Sequence, residues 1–314
     1  MFQGWKNSKR RSGSEPSSFK GPIGPRQKAI AFEVASGDKD TDIYSRTRRE
    51  SIHRTLRGLS DQQKKLVHEI GFSSFLGIPE IFFFDYAFDT WILRNMSAGD
   101  STLKLFDGAS VALEDHSVGQ VFGISHNGLS IDISKHATSV GLQQYIRKNL
   151  SFDSTDDNIL EHCEKILNID YGDRMTENQK DSFAIAFVAY IVYTFLVPGD
   201  ILLGAGAPFF SALLCRETIA LHNWSAYVRN NIIKSVALLN KSEVDGKKIV
   251  MSPQVFPFLQ VFYCDNVIFD VCDINYKIKP RMCAYPDKKI SLLINDDYLP
   301  GDEPRNDCFF GRKG

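Results

Sequence analysis

The chain has 314 residues, 43% of them hydrophobic, and a formal net charge of −1. That is ample apolar material for one large core or two modest ones, and it creates no global field to draw nucleic acid or an anionic membrane. Six cysteines (163, 215, 264, 272, 283 and 308) are scattered without close pairs, and the polar start Met1-Phe-Gln-Gly-Trp-Lys6 lacks the apolar stretch of a secretory signal. Reduced thiols in a cytosolic or nuclear protein are therefore expected. The Asn-x-Ser sequons at Asn95, Asn149, Asn223 and Asn240 then carry no meaning for glycosylation.

Residues 1–55 read as a disordered basic tail. Up to Lys28 they hold Lys6, Lys9, Arg10, Arg11, Lys20, Arg26 and Lys28 against the single acid Glu15, with Ser, Gly and Pro between. Few apolar groups are present to offset the entropy of ordering. The cluster Lys6, Lys9, Arg10 and Arg11 has the pattern of a nuclear-import signal or a weak phosphate-binding patch, and a plain solvated tail explains it too. Any nucleic-acid contact is expected only through this tail. Arg46, Arg48, Arg49, Arg54 and Arg57 form a second basic stretch that leads into a helix and coats its exposed face.

Ser60-Asp-Gln-Gln63 is a capping-box pattern. The helix it opens carries Leu66, Val67 and Ile70 on one face, and Gly71 ends it. Phe84, Ala87, Phe88, Trp91 and Ile92 recur at helical spacing, an aromatic stripe that belongs in a core rather than in a partner groove. Asp107-Gly108 between the alternating pairs Leu103/Leu105 and Val111/Leu113 predicts a β-hairpin. Glu114 and Asp115 open a short helix through Val118, Val121 and Phe122, stopped by Gly123.

Helical spacing recurs over Thr138–Leu150 and Asp156–Leu167, where Val140, Leu142, Tyr145 and Ile146, then Ile159, Leu160, Cys163, Ile166 and Leu167, form apolar faces. Thr176-Glu-Asn-Gln179 is a second capping box, and the helix it opens runs toward Pro198. Phe183–Val197 is apolar nearly all round. It is shorter than the roughly 20 residues a bilayer needs and lacks a basic anchor, so it reads as the buried centre of a helical domain. Asn223 is placed to cap a helix that begins at Trp224. Gln260 and Asp265 lie in apolar surroundings and are expected to bond backbone groups between helices, and a pocket around Trp224, Gln260 and Tyr263 is the functional alternative. Ser291–Asn295 reads as a short strand in an otherwise irregular tail over residues 281–314.

The order of these motifs resembles the plant mobile domain, also called aminotransferase-like, over roughly residues 56–270. The resemblance rests on Leu59-Ser-Asp-Gln-Gln63, Glu69-Ile-Gly-Phe72, Trp91-Ile-Leu93, Thr102-Leu-Lys-Leu-Phe-Asp-Gly108 and Val118-Gly-Gln-Val-Phe-Gly-Ile124. It continues through Thr194-Phe-Leu-Val-Pro198, Asn223-Trp-Ser-Ala-Tyr-Val228 and Pro257-Phe-Leu-Gln-Val-Phe-Tyr-Cys-Asp265. Ser117, Ser125 and Cys264 depart from it, standing where an acid, a Pro and an aliphatic residue are usual. The resemblance implies a nuclear protein of plant genomes or transposable elements. It also implies a role in transposon silencing or genome maintenance beside a phosphatase-like protein partner. Its alternative is a domesticated or truncated transposon product without the cysteine protease half that can follow such domains.

No catalytic set is legible, so no enzyme activity and no cofactor is expected. Gly204-Ala-Gly206-Ala lacks the Lys-Ser/Thr of a phosphate loop. Cys264, Asp265, Cys272 and Cys283 are too widely spaced for a zinc knuckle, and His222 is the only plausible ligand to complete a set with the three cysteines. Cys215 and His222 would lie about 10 Å apart along a continuous helix, too far for a nucleophile pair. No context singles out a lysine for a pyridoxal Schiff base. His222-Asn-Trp224 echoes a protease motif but sits inside the mobile-domain pattern. The expected fold is a single mainly α domain over residues 56–280, with a small β-hairpin near its start.

Overall fold

A computed structural model describes residues 50–79, 86–105, 108–131, 139–151, 158–197, 207–245, 256–269, 271, 273–298 and 310, all within one unit spanning Phe32–Gly314. Lys6, Lys9, Arg10 and Arg11, with the rest of residues 1–49, lie outside the described residues. The tail expected up to residue 55 ends earlier, because residues 50–58 are helical (α1). Ile52, Thr55 and Leu56 bury one face of α1, while Arg54 and Arg57 point to solvent. Ser51 Oγ on the same helix donates to Glu164 Oε1 at 2.8 Å, and Tyr190 donates to that oxygen at 2.9 Å.

Local signals set most boundaries. α2 (Asp61–Glu69) starts at a reciprocal capping box between Ser60 and Gln63, and Gly71 leaves it at φ 81°. Gln63 does more than cap: its Nε2 donates to Leu167 O at 3.0 Å and is buried there. α3 (Tyr86–Asn95) runs directly into a short strand, β1 (Met96–Ser97). β1 pairs antiparallel with β2 (Thr102–Lys104), which pairs with β3 (Ser110–Ala112), so the predicted hairpin is two strands of a three-stranded sheet. Asp107 lies outside the described residues, but Gly108 adopts the left-handed φ of 89° that the turn needs. α4 (Asp115–Phe122) ends on Gly123 at φ 69°.

α5 (Val140–Leu150) and α6 (Ile159–Leu167) start where Ser139 and Asn158 cap them, later than the apolar spacing alone suggested. Val140, read as part of the apolar face, is exposed at the first turn of α5. α7 (Glu177–Ile191) begins at the Thr176–Gln179 capping box and continues as a π-helical turn, Val192–Leu196. Every residue from Phe183 to Leu196 is buried. α2, α5 and α6 pack around α7 with the 3-10 segments Pro208–Leu213 and Arg216–Leu221. Among the described residues, no helix is long and apolar enough to cross a membrane.

The remaining layer is built on α8 (Trp224–Asp245) and α9 (Phe256–Asn266), with α4 against both and α3 against α9. The first part of the region expected to be an irregular tail, residues 281–298, is ordered instead. Arg281–Ala284 forms a 3-10 turn and Asp287–Asp297 a helix, α10, that packs on α9. The strand expected at Ser291–Asn295 is therefore helix, because Ile290, Leu293 and Ile294 recur at helical spacing and bury together.

A stitched loop joins the two layers. Leu129 N donates to Leu221 O and Asn223 N to Leu129 O, each at 2.8 Å, which ties residues 125–131 to the start of α8. Gly128 makes this contact, with φ 109° and room for no Cβ, since one would lie 2.0 Å from Leu221 O. Gly128→Ala is expected to destabilise the chain by more than about 2 kcal/mol in urea unfolding, because strain and clash act together. A loss below about 0.5 kcal/mol would show that the loop is not held this way.

Candidate functional site

Nine consecutive residues of α9, Phe256–Cys264, are buried, so every polar atom among them needs a partner inside the protein. Partners for Gln260 Nε2, Tyr263 and the adjoining Asp265 lie on three other elements, while Gln260 Oε1 is buried without a hydrogen bond among the described residues. Gln260 Nε2 donates to Asp89 Oδ1 on α3 at 2.9 Å, with both side chains buried. Tyr263 donates its hydroxyl to Asp297 Oδ2 at the end of α10. Asp265, just beyond the buried run, receives Arg281. Sequence reading placed backbone groups opposite Gln260 and Asp265. The partners are side chains, because neighbouring helices already satisfy their own backbone bonds.

The Arg281 arrangement is the most elaborate polar constellation here. Its guanidinium is 1% exposed. Nε reaches both Asp265 oxygens at 3.1 and 3.0 Å, and Nη2 reaches Oδ1 at 2.6 Å. Nη1 donates to the carbonyls of Asn275 and Ile278 at 2.8 and 3.2 Å. The rings of Tyr276 and Tyr285 lie 5.0 and 5.3 Å from the guanidinium carbon. Tyr285 also donates its hydroxyl to Asp265 Oδ1 at 2.5 Å. Its hydrogen bonds to Asp265 outweigh the opposing effect of burial and set the guanidinium pKa above its ordinary value. Burial, then Asp265, holds the Tyr285 phenol well above the usual tyrosine range. Burial and Asp297 do the same to Tyr263.

Asn223 caps α8, accepting from Ala226 N at 2.8 Å, and its amide donates to Asp115 Oδ2 at 3.0 Å, so one residue joins α8 to α4. Arg229 Nε lies 3.1 Å from the other Asp115 oxygen. Trp224 is buried with its indole N–H on Ile219 O at 2.8 Å. Its ring meets Phe72, Phe209 and Tyr227, whereas Tyr263 meets Phe88, Trp91 and Phe269. Trp224 and Tyr263 thus share none of these ring neighbours. Trp91 faces the core as expected, stacked on Phe88 and edge-to-face with Tyr263 and Phe310.

Other titratable groups are engaged separately. Cys215 donates to Glu217 Oε2 at 3.2 Å, while the His222 ring pairs with Thr218 O at 2.8 Å. His222 follows a 3-10 turn in extended backbone, so the continuous helix assumed for this pair does not form. Cys264 is buried, Cys283 is half-buried with Sγ on Gly77 O, and Cys272 lies outside the described residues. Among the described residues, no group of three or more His, Cys, Asp or Glu is arranged to hold a metal ion.

A protein-family model described as "Domain of unknown function (DUF8566)" matches residues 45–256. The chain belongs to the DUF8566 family. No curated protein and no solved structure matches it. The family region runs from before α1 to the first residue of α9. The Asn223 cap, the buried Trp224 and Asp89 thus fall inside it, while Gln260, Tyr263, Asp265, Arg281 and Asp297 lie C-terminal to it.

Arg281, Tyr285, Asp89 and Asp297 were not singled out from sequence. Their one sequence signal is indirect: buried polar groups on α9 demand partners of opposite character somewhere in the chain.

Arg281→Met is expected to cost about 3 kcal/mol, since it leaves Asp265 facing a buried site without its cation. Adding Asp265→Leu should recover part of that loss, and thermal unfolding of both variants measures the coupling. Alkaline pH provides a second measurement. An unfolded chain releases its tyrosine protons near pH ~10, while folded Tyr263 and Tyr285 retain theirs. Stability should therefore hold below that pH and fall as the pH rises through it. Tyr285→Phe should flatten this alkaline loss, read as unfolding against pH together with phenolate absorbance.

Proposed function

We propose that this chain is a non-catalytic protein-interaction domain that works in the nucleus. The observation that carries the reading is how its polar side chains are used. Asn223, Gln260, Tyr263, Asp265 and Arg281 direct their hydrogen bonds at other elements of the same domain. Such groups hold a shape, and a fixed shape favours recognition of a partner by lowering the ordering cost of binding. The order of motifs that resembles the plant mobile domain supports the same reading. It adds a setting of transposon silencing or genome maintenance and a phosphatase-like protein as the partner to look for. The basic cluster Lys6, Lys9, Arg10 and Arg11 supports nuclear entry.

Affinity purification of the full chain from plant nuclei, followed by mass spectrometry, tests the reading. A recurrent near-stoichiometric partner is the expected result. Repeated failure to retain any partner at low salt would overturn it. A fluorescent fusion lacking residues 1–28 should leave the nucleus, and unchanged nuclear accumulation would reject the import role of the basic cluster.

A further inference from the structure

The segment between α9 and the 3-10 turn Arg281–Ala284 has an unusual division of labour. Of the twelve large apolar side chains exposed among the described residues, four (Ile268, Val271, Tyr276 and Ile278) fall within residues 268–278. They are between 37% and 68% exposed. Clustering of this kind marks an interaction surface more than scattered exposure does.

The same segment is not held by burying those side chains. Phe269 and Ile274 pack on the core, and Arg281 holds the Asn275–Ile278 turn. Ile278 N donates to Asn275 O at 3.3 Å and closes a turn over Tyr276 and Lys277. The Asn275 side chain accepts from Lys277 N at 3.0 Å. Arg281 Nη1 then clasps the carbonyls at both ends of that turn, and the ring of Tyr276 rests on the guanidinium. The turn is therefore ordered by a buried cation paired with Asp265; one face of the Tyr276 ring meets that cation, and Tyr276 and Ile278 stay 54% and 37% exposed. A partner that meets them finds them already in place.

Charge indicates the kind of partner. Lys277 and Lys279 flank Ile278 and are exposed, and residues 274–281 contain no acid. Asp273 lies just before this stretch, with its carbonyl bound by Lys289, and the Asp265 carboxylate is committed to Arg281. We propose that the Tyr276–Lys279 turn docks a protein segment that places carboxylates on Lys277 and Lys279 and an apolar side chain against Tyr276 and Ile278. This inference rests on the interaction reading above and names the surface and the partner chemistry.

The probe is a phage-displayed library of random twelve-residue peptides, selected on the immobilised full chain. Selected peptides should combine Asp or Glu with Leu, Ile, Phe or Trp. Their affinity should fall at least about tenfold in Tyr276→Ser/Ile278→Ser, as for loss of an apolar anchor. It should fall similarly in Lys277→Glu/Lys279→Glu, and weaken with added salt. Leu238→Ser, an exposed apolar position on α8, should leave binding unchanged. Melting temperatures establish that all variants fold. A photo-crosslinking residue replacing Tyr276 alone should capture the selected peptide, which tests the contact without the double substitutions. Selection of peptides without acids, no selection at all, or equal loss in Leu238→Ser would overturn the proposal. So would binding of phosphatidylserine vesicles in place of peptides, or self-association abolished by the same substitutions. A nuclear partner that both turn variants still retain would overturn this docking surface and leave the interaction reading standing.

Discussion

A helix that is apolar on every side has to be surrounded, and α7 imposes that requirement on the rest of this chain. From Phe183 to Leu196 every residue is buried. Each large side chain in that run favours burial by about 1.5–3 kcal/mol, so the sum greatly exceeds what any one neighbouring helix can cover. α2, α5 and α6 pack on it, together with the two 3-10 segments before α8. Few polar atoms accompany this burial. Tyr190, Tyr193 and Thr194 are the exceptions, and Tyr190 and Thr194 donate to Glu164 Oε1 and Tyr190 O respectively. The apolar helix thus determines how many elements gather, and the sparse hydrogen bonds determine how they are oriented.

The layer built on α9 follows a different rule. That helix is buried too, yet it carries Gln260 and Tyr263, with Asp265 at its end. Each is answered by a residue from a separate element: Asp89 on α3, Asp297 on α10, and Arg281 on the turn between. Buried pairs of this kind add little net stability over apolar packing. They are selective, because a wrong register would bury a charge or an amide without its complement. Here they bring a segment C-terminal to the family region onto the fold and order the loop that precedes Arg281.

Legibility of the fold tracked how local its causes are. The capping boxes at Ser60 and Thr176, the Asn223 cap and the glycine stops at Gly71 and Gly123 all appear where the sequence placed them, since each acts within one turn of helix. The hairpin was legible for the same reason. Its third strand, β1, was not, because two residues carry no period of their own and pair only once α3 delivers them beside β2. α10 was misread as strand and tail: it is flanked by Pro and Asp, and its apolar residues acquire meaning only against α9.

The candidate site divides similarly. Asn223, Trp224, Gln260 and Asp265 were visible as residues that needed an explanation, through their type and surroundings. Their partners Asp115, Asp89 and Arg281 lie 108, 171 and 16 residues away, and ordinary surface residues look the same in sequence. The sequence by itself determined a mainly α chain with a hairpin, a buried central helix and the points where helices start and stop. Those follow from side-chain periodicity and backbone chemistry over a few residues. Only the tertiary structure decided which buried polar groups meet, and that Arg281 would clasp a turn whose apolar side chains stay partly exposed. Such choices depend on distances between elements remote in the chain, and those distances exist only after the core has formed.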